Sequence, residues 1–169
     1  MPDKKTLERV AKDRREGKSA TTQAGEFVRE EMHHIRDGKH GARSTQQAIA
    51  IGLSKARRAG VKLLLPKPGS VSETTLQNAK RASAAGAHGK HDVSRTRSRA
   101  ITAALKHEGH AAASMEALSK QATRTARRRS AGERSAAAAK AARTKGPVAR
   151  SAAARKAART RARIRAQAR

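Results

Sequence analysis

Cysteine, tryptophan and tyrosine are missing from this chain, Phe27 is its one aromatic residue, and acidic groups are scarce beside basic ones. Without Cys there is no disulfide framework and no thiolate metal centre. Single-strand binders and RNA-recognition sheets stack bases on aromatic rings, so the shortage of rings counts against them. No run approaches the roughly 18 apolar residues that span a bilayer, and no n-region and h-region pattern opens the sequence. These absences lead us to expect a cytoplasmic location, with no membrane partner.

Large apolar side chains are also few. Hydrophobic residues make up 36% of the 169 positions, but 38 of them are Ala, which leaves 23 larger ones. Of those 23, 16 fall in residues 1–76 and only 2 after residue 118. So little apolar surface beside a high net charge excludes a large globular enzyme and leaves room for a small helical core with basic extensions.

What is abundant is positive charge: 40 Lys and Arg against 13 Asp and Glu, a formal net charge of +27. The imbalance grows along the chain, from +2 in residues 1–40 through +10 in 41–120 to +15 in 121–169. A charge of this size with almost no internal acid to balance it implies a polyanion, and phosphate backbones are the commonest in a cell.

Local signals predict an all-α chain. The clearest helix is expected from Thr45 to Ala59, with Ser44 as its N-cap, Gln47 three residues on as in a capping box, and Gly60 at its end. Ala48, Ile49, Gly52, Leu53, Ala56 and Ala59 share one face of it. Gly52 inside that face points to a close helix–helix approach. A preceding helix, Thr22 to Arg36, carries Ala24, Phe27, Val28, Met32 and Ile35 on one face, and a short connection folds the pair into an αα-hairpin. Glu31 sits in the middle of that face. It needs either a cationic partner, for which Lys55 is placed, or a path to solvent.

Further helices are expected over Thr6–Glu16, from Ser72 to before Gly86, over Arg95–Glu108 and over Ser114–Arg129. Ala48-Ile49-x-x-Gly52-Leu53 returns as Ala100-Ile101-x-x-Ala104-Leu105, and Gly38-Lys39-His40 as Gly89-Lys90-His91. This is either a duplicated hairpin or a coincidence of biased composition. The organisation read from the chain is an N-terminal helical segment (1–20), the motif-bearing hairpin (21–66), a second, weakly repeated helical region (67–130) and a basic low-complexity tail (131–169). Ala, Arg and Lys favour helix in that tail while dense like charge opposes it, so it is expected to be disordered or fluctuating alone and helical on a polyanion.

The candidate phosphate-binding residues are Arg57 and Arg58; Arg95, Arg97 and Arg99; Arg127, Arg128 and Arg129; and Arg155, Lys156, Arg159, Arg161, Arg163 and Arg165. No metal, cofactor or catalytic residue is expected. His88/His91 and His107/His110 are three apart, and His33 and His34 precede His40, but the two spaced pairs straddle glycines, no nearby carboxylate cluster is evident, and Glu30 and Glu31, as neighbours, are expected on different faces. No nucleophile elbow or phosphate loop is present.

The stretch Arg43-Ser44-Thr45-Gln46-Gln47-Ala48-Ile49-Ala50-Ile51-Gly52-Leu53-Ser54-Lys55-Ala56-Arg57-Arg58-Ala59-Gly60, led in by Met32 to Lys39, resembles a family of small basic bacterial proteins sharing a QAIAIGLS-x-AR-x-AG motif. Its members are sometimes labelled DNA-binding or plasmid-stabilisation proteins. The resemblance covers residues 22–66 and implies a bacterial origin but no site residue. The tail is similar in composition to linker-histone tails. Taken together, the sequence leads us to expect a non-enzymatic, nucleoid- or plasmid-associated protein that binds double-stranded DNA with little sequence preference. The alternatives are an RNA- or ribosome-associated basic protein, or an adaptor that meets a partner through Phe27 and Leu63–Leu65.

Overall fold

The computed structural model describes residues 2–89 and 94–167. Its elements are α1 (Lys4–Arg15), α2 (Ala20–Arg36), α3 (Thr45–Arg58), α4 (Glu73–Ala87), α5 (Arg95–Lys106), a 3₁₀ turn (Ala111–Ala113), α6 (Met115–Arg127) and α7 (Ala131–Gln167). No strand occurs among the described residues. Serine caps fix most starts: Ser19, Ser44, Ser72 and Ser94 each accept a hydrogen bond from the backbone N–H three residues on. Each satisfies one of the donors that a helix start leaves without a partner. The chain divides into two compact units, residues 1–121 and 122–169.

In the first unit α2 packs on both α1 and α3, and α4 packs on the far side of α3. The expected hairpin of α2 and α3 is present, and Gly52 is its contact point. A Cβ at Gly52 would stand 2.7 Å from the Cα of Val28, so the two backbones touch where any larger residue would hold them apart. On either side of this point lie two apolar clusters. One gathers Met32, Ile35, Ala42 and Ala48 with Ala112 and Ala113. The other gathers Ala24, Phe27, Ala56 and Val61, with Leu53 and Leu63 against it. Eight of the thirteen buried hydrophobic residues are Ala, so the core gains its contacts by closeness of backbones rather than by bulk.

The segment after α5 closes over the α2–α3 connection. Gly41 N–H donates to the Leu105 carbonyl at 2.8 Å and Ala42 N–H to that of Gly109 at 3.0 Å. Arg36 Nε donates to the Ala113 carbonyl at 2.8 Å and Thr45 Oγ1 to that of Ala112 at 2.7 Å. Ion pairs join the N-terminal helix: Arg9 to Glu26 at 2.5 Å, and Lys18 to Asp13 and Glu16 at 2.8 Å each.

Three expectations change. A second hairpin of α4 and α5 does not form. Instead α4 lies on α3 through Leu76, Ala79 and Ala82, with Gly86 against the Arg57 carbonyl, and no residue of α5 is buried. The reason lies in the imperfect repeat, because Ala104 stands where α3 has Gly52, and its Cβ occupies the space that close approach requires. Lys90 and His91 of the repeated turn lie outside the described residues. Phe27 is fully buried and Leu63 is packed in the core, leaving Leu64 and Leu65 exposed, so the residues proposed for an adaptor surface do not share one. Finally, the tail is helical over Ala131–Gln167, with a break at Gly146, whose φ of 68° and ψ of 169° are not helical and which is followed by Pro147. Of the two alternatives for the tail, the helical one is what the structure shows, in keeping with the high helix propensity of Ala, Arg and Lys. Among the described residues no helix is long and apolar enough to cross a membrane.

The Gly52 contact gives a test of sign. Helix propensity alone would make Gly52→Ala stabilising by up to about 1 kcal/mol. Against backbone at 2.7 Å the added methyl must push α2 away. We therefore expect a net loss of about 1–3 kcal/mol from overpacking, seen as a lower thermal midpoint by circular dichroism.

Candidate nucleic-acid interface

The basic residues sort by what their helices do with them. Arg57, near the end of α3, is buried, and its Nη2 donates to the Leu64 carbonyl at 3.2 Å. Burial shifts its guanidinium below the ordinary arginine value, and its Nε finds no hydrogen-bond partner. Unlike the exposed cation expected for the interface, the Arg57 side chain is held within the folded unit, where it ties down the loop after α3. Its neighbour Arg58 is exposed, as expected for a phosphate contact.

Arg95, Arg97 and Arg99 are exposed at the start of α5. They stand where the helix dipole is positive and disfavours cations, so they weaken the helix locally and are poorly explained as structural residues. Arg127 ends α6, and Arg128 and Arg129 form the exposed turn after it. That turn is well defined. Ser130 Oγ accepts from Glu133 N–H at 3.2 Å while the Glu133 carboxylate accepts from Ser130 N–H at 2.8 Å, a reciprocal capping box that starts α7.

Helix α7 buries nothing. At 100° per residue, Arg155, Lys156, Arg159 and Arg163 lie within an arc of about 100°, while Arg161 and Arg165 stand on the opposite side. Eight residues at about 1.5 Å rise give the first stripe a length of about 12 Å. Between the stripes are alanines, and the only large apolar residues on the helix, Val148 and Ile164, are both exposed. There is no apolar seam with which a partner helix or a bilayer would engage. The arrangement can present cations at helical spacing to an extended anion and has no group placed for covalent chemistry.

The structure also brings together residues that the sequence kept apart. Glu30 and Glu31 were expected on different faces, but both carboxylates are buried, at 3% and 0% exposure, and both face Lys55 of α3. Lys55 Nζ lies 2.5 Å from Glu31 Oε2 and 3.8 Å from Glu30 Oε1. The expected partner for Glu31 is thus present. His40, just past α2, places Nε2 3.1 Å from Glu31 Oε1. His34 Nε2 lies 3.2 Å from Asp3 Oδ2, and this hydrogen bond holds the Asp3 carboxyl below its ordinary value. The expectation of no carboxylate cluster near histidine is overturned at this point. The signal available in the sequence was an acidic residue in an apolar face with a histidine shortly beyond the turn.

No protein family, no curated protein and no solved structure matches this chain.

The sorting of the arginines is testable in one binding series. Arg57→Met should leave duplex affinity within about twofold of wild type, whereas Arg159→Ala should lower affinity for all sequences alike and reduce the log–log salt slope by about 1. Fluorescence anisotropy at several salt concentrations measures both.

Proposed function

We propose that this protein binds double-stranded DNA with little sequence preference, as a nucleoid- or plasmid-associated factor, by neutralising phosphates with exposed Arg and Lys. The observation that carries this reading is α7. It is a long helix with no buried residue, in a segment (121–169) holding sixteen cations and one acid. A helix that buries no residue and carries this charge gains from a polyanion what it lacks from a core. Arg127–Arg129 and the arginines of α5 extend the same chemistry. An RNA duplex offers the same phosphates, so it is the comparison ligand.

With about ten phosphate contacts the log–log salt slope should be near −9, so raising salt from about 50 to 200 mM should weaken binding by several orders of magnitude. Truncation after Ser130 removes Arg134, Lys140, Arg143, Lys145, Arg150, Arg155, Lys156, Arg159, Arg161, Arg163, Arg165 and Arg169. The truncated chain should keep the helical signal of α1–α6 and lose most of its affinity and salt slope. Leu53→Asp should do the reverse, melting the α2–α3 hairpin by burying an unpaired carboxylate while sparing tail-driven binding. Tight binding by the truncated chain together with its loss in Leu53→Asp would assign recognition to the folded unit and defeat the proposal. Preference for an RNA duplex over DNA of equal length would move the reading to RNA.

A further inference from the structure

We infer that Glu31, His34 and His40 form a binding site for a divalent transition metal of the zinc class, which staples the folded unit. Ligand atoms of the three lie within 4.8 Å of one another, and Asp3, Glu30 and His34 form an overlapping set. Zinc bonds of about 2.0–2.2 Å require these atoms to close in by about an ångström, a rotation of side chains rather than a movement of helices. Imidazole and carboxylate donors suit zinc and its neighbours, whereas calcium and magnesium would need an oxygen set.

Three observations separate this cluster from an ordinary group of polar residues. First, it is buried: the side chains of Glu30 and Glu31 are 2% and 1% exposed, and those of His34 and His40 are 11% and 14%. Second, its acceptors are incompletely satisfied. Buried Glu30 Oε1 has no hydrogen-bond partner and its nearest cations stand off at 3.8 and 3.9 Å, while the Glu31 oxygens meet Lys55 Nζ at 2.5 Å and His40 Nε2 at 3.1 Å. Third, the His40 ring is oriented from behind. Its Nδ1 lies 3.0 Å from the Gly41 carbonyl, which can only accept, so Nδ1 carries the proton. Its Nε2 is thereby turned toward Glu31 Oε1, 3.1 Å away, where a metal ion would take the nitrogen as a ligand. A backbone carbonyl behind the far nitrogen is the common support of a metal-bound histidine.

The site also meets a structural need, because a core of eight alanines and five larger side chains is small, and small domains recruit metals where apolar burial falls short. The ion would join α2, the α2–α3 connection and, through Asp3, the start of α1. Lys55, whose side chain is 25% exposed, competes for the Glu31 oxygens and turns outward when the ion binds.

The test uses the full chain, with Co²⁺ as the spectroscopic probe and Zn²⁺ as competitor, and circular dichroism to confirm folding. Wild type should bind one equivalent of Co²⁺ with the visible absorption of a low-coordinate site, and Zn²⁺ should displace it and raise the thermal midpoint. His40→Gln and Glu31→Gln should each weaken binding by about 100-fold or more, the scale at which loss even of a supporting group is felt. The double variant His107→Ala/His110→Ala, whose histidines lie elsewhere, should bind as wild type does. Lys55→Met removes the competing ammonium and should tighten binding by about tenfold, an effect that a purely structural lysine would not give. Failure of wild type to bind one equivalent, equal affinity in wild type and His40→Gln, or loss only in the His107/His110 variant would overturn the inference. Should His40→Gln fail to fold, Lys55→Met decides, since unchanged or weaker affinity there is equally fatal.

Discussion

The close approach of α2 and α3 at Gly52 is the constraint on which the folded unit depends. Dispersion falls steeply with distance, and alanine side chains reach only a short way, so a core built mainly from alanine forms only where backbones nearly touch. Gly52 allows that contact against Val28, and the two apolar clusters assemble on either side of it. Lys55 is one turn further along the same helix. The approach that packs the alanines therefore also brings its ammonium to Glu31 and encloses Glu30, Glu31, His34 and His40 in the same hairpin.

Charge is divided between folding and surface. Eight of the thirteen acidic residues lie in the first forty positions, where they meet cations of the chain itself: Glu26 with Arg9, Asp13 with Lys18, Glu31 with Lys55. The exposed pairs among these contribute little to stability by themselves. Their other consequence is that the first forty residues carry a net charge of only +2, and most of the excess positive charge lies further along the chain. This is the physical basis on which the proposed interface is assigned to the second unit and to α5.

Much of the fold was legible because it is written locally. Serine caps and closing glycines or turns marked α2, α3, α4 and α5 to within about two residues, and the Gly52 approach followed from the cost of glycine in a helix. What could not be read is which faces meet. Arg57 looked like a solvent-facing cation because nothing in its own helix says that α4 will cover it. The Ala100–Leu105 repeat looked like a second hairpin because a pattern of apolar positions does not show that one missing Cβ decides whether a partner can approach. The histidine–carboxylate cluster went unread for the same reason: spacing rules test ligands along one helix, and these come from the N-cap of α1, from α2 and from the connection after it.

The tail joins local structure to the proposed binding in one free energy. Alanine and arginine favour helix, like charges along α7 oppose it, and phosphates remove the opposition. Any ligand that prefers the helical form must stabilise it in proportion to that preference. The alanines between the cations are thus not inert spacers. They hold the helix close enough to stability that neutralising the arginine stripes tips the balance, and they keep Arg155, Lys156, Arg159 and Arg163 on one side while doing so. A tail of the same charge built on glycine would attract the same polyanion but would have to order itself on arrival, at a cost of about 1 kcal/mol for each residue fixed. The low-complexity composition follows from this requirement: small residues with high helix propensity carry charge at a fixed spacing without creating an apolar face that would bury it.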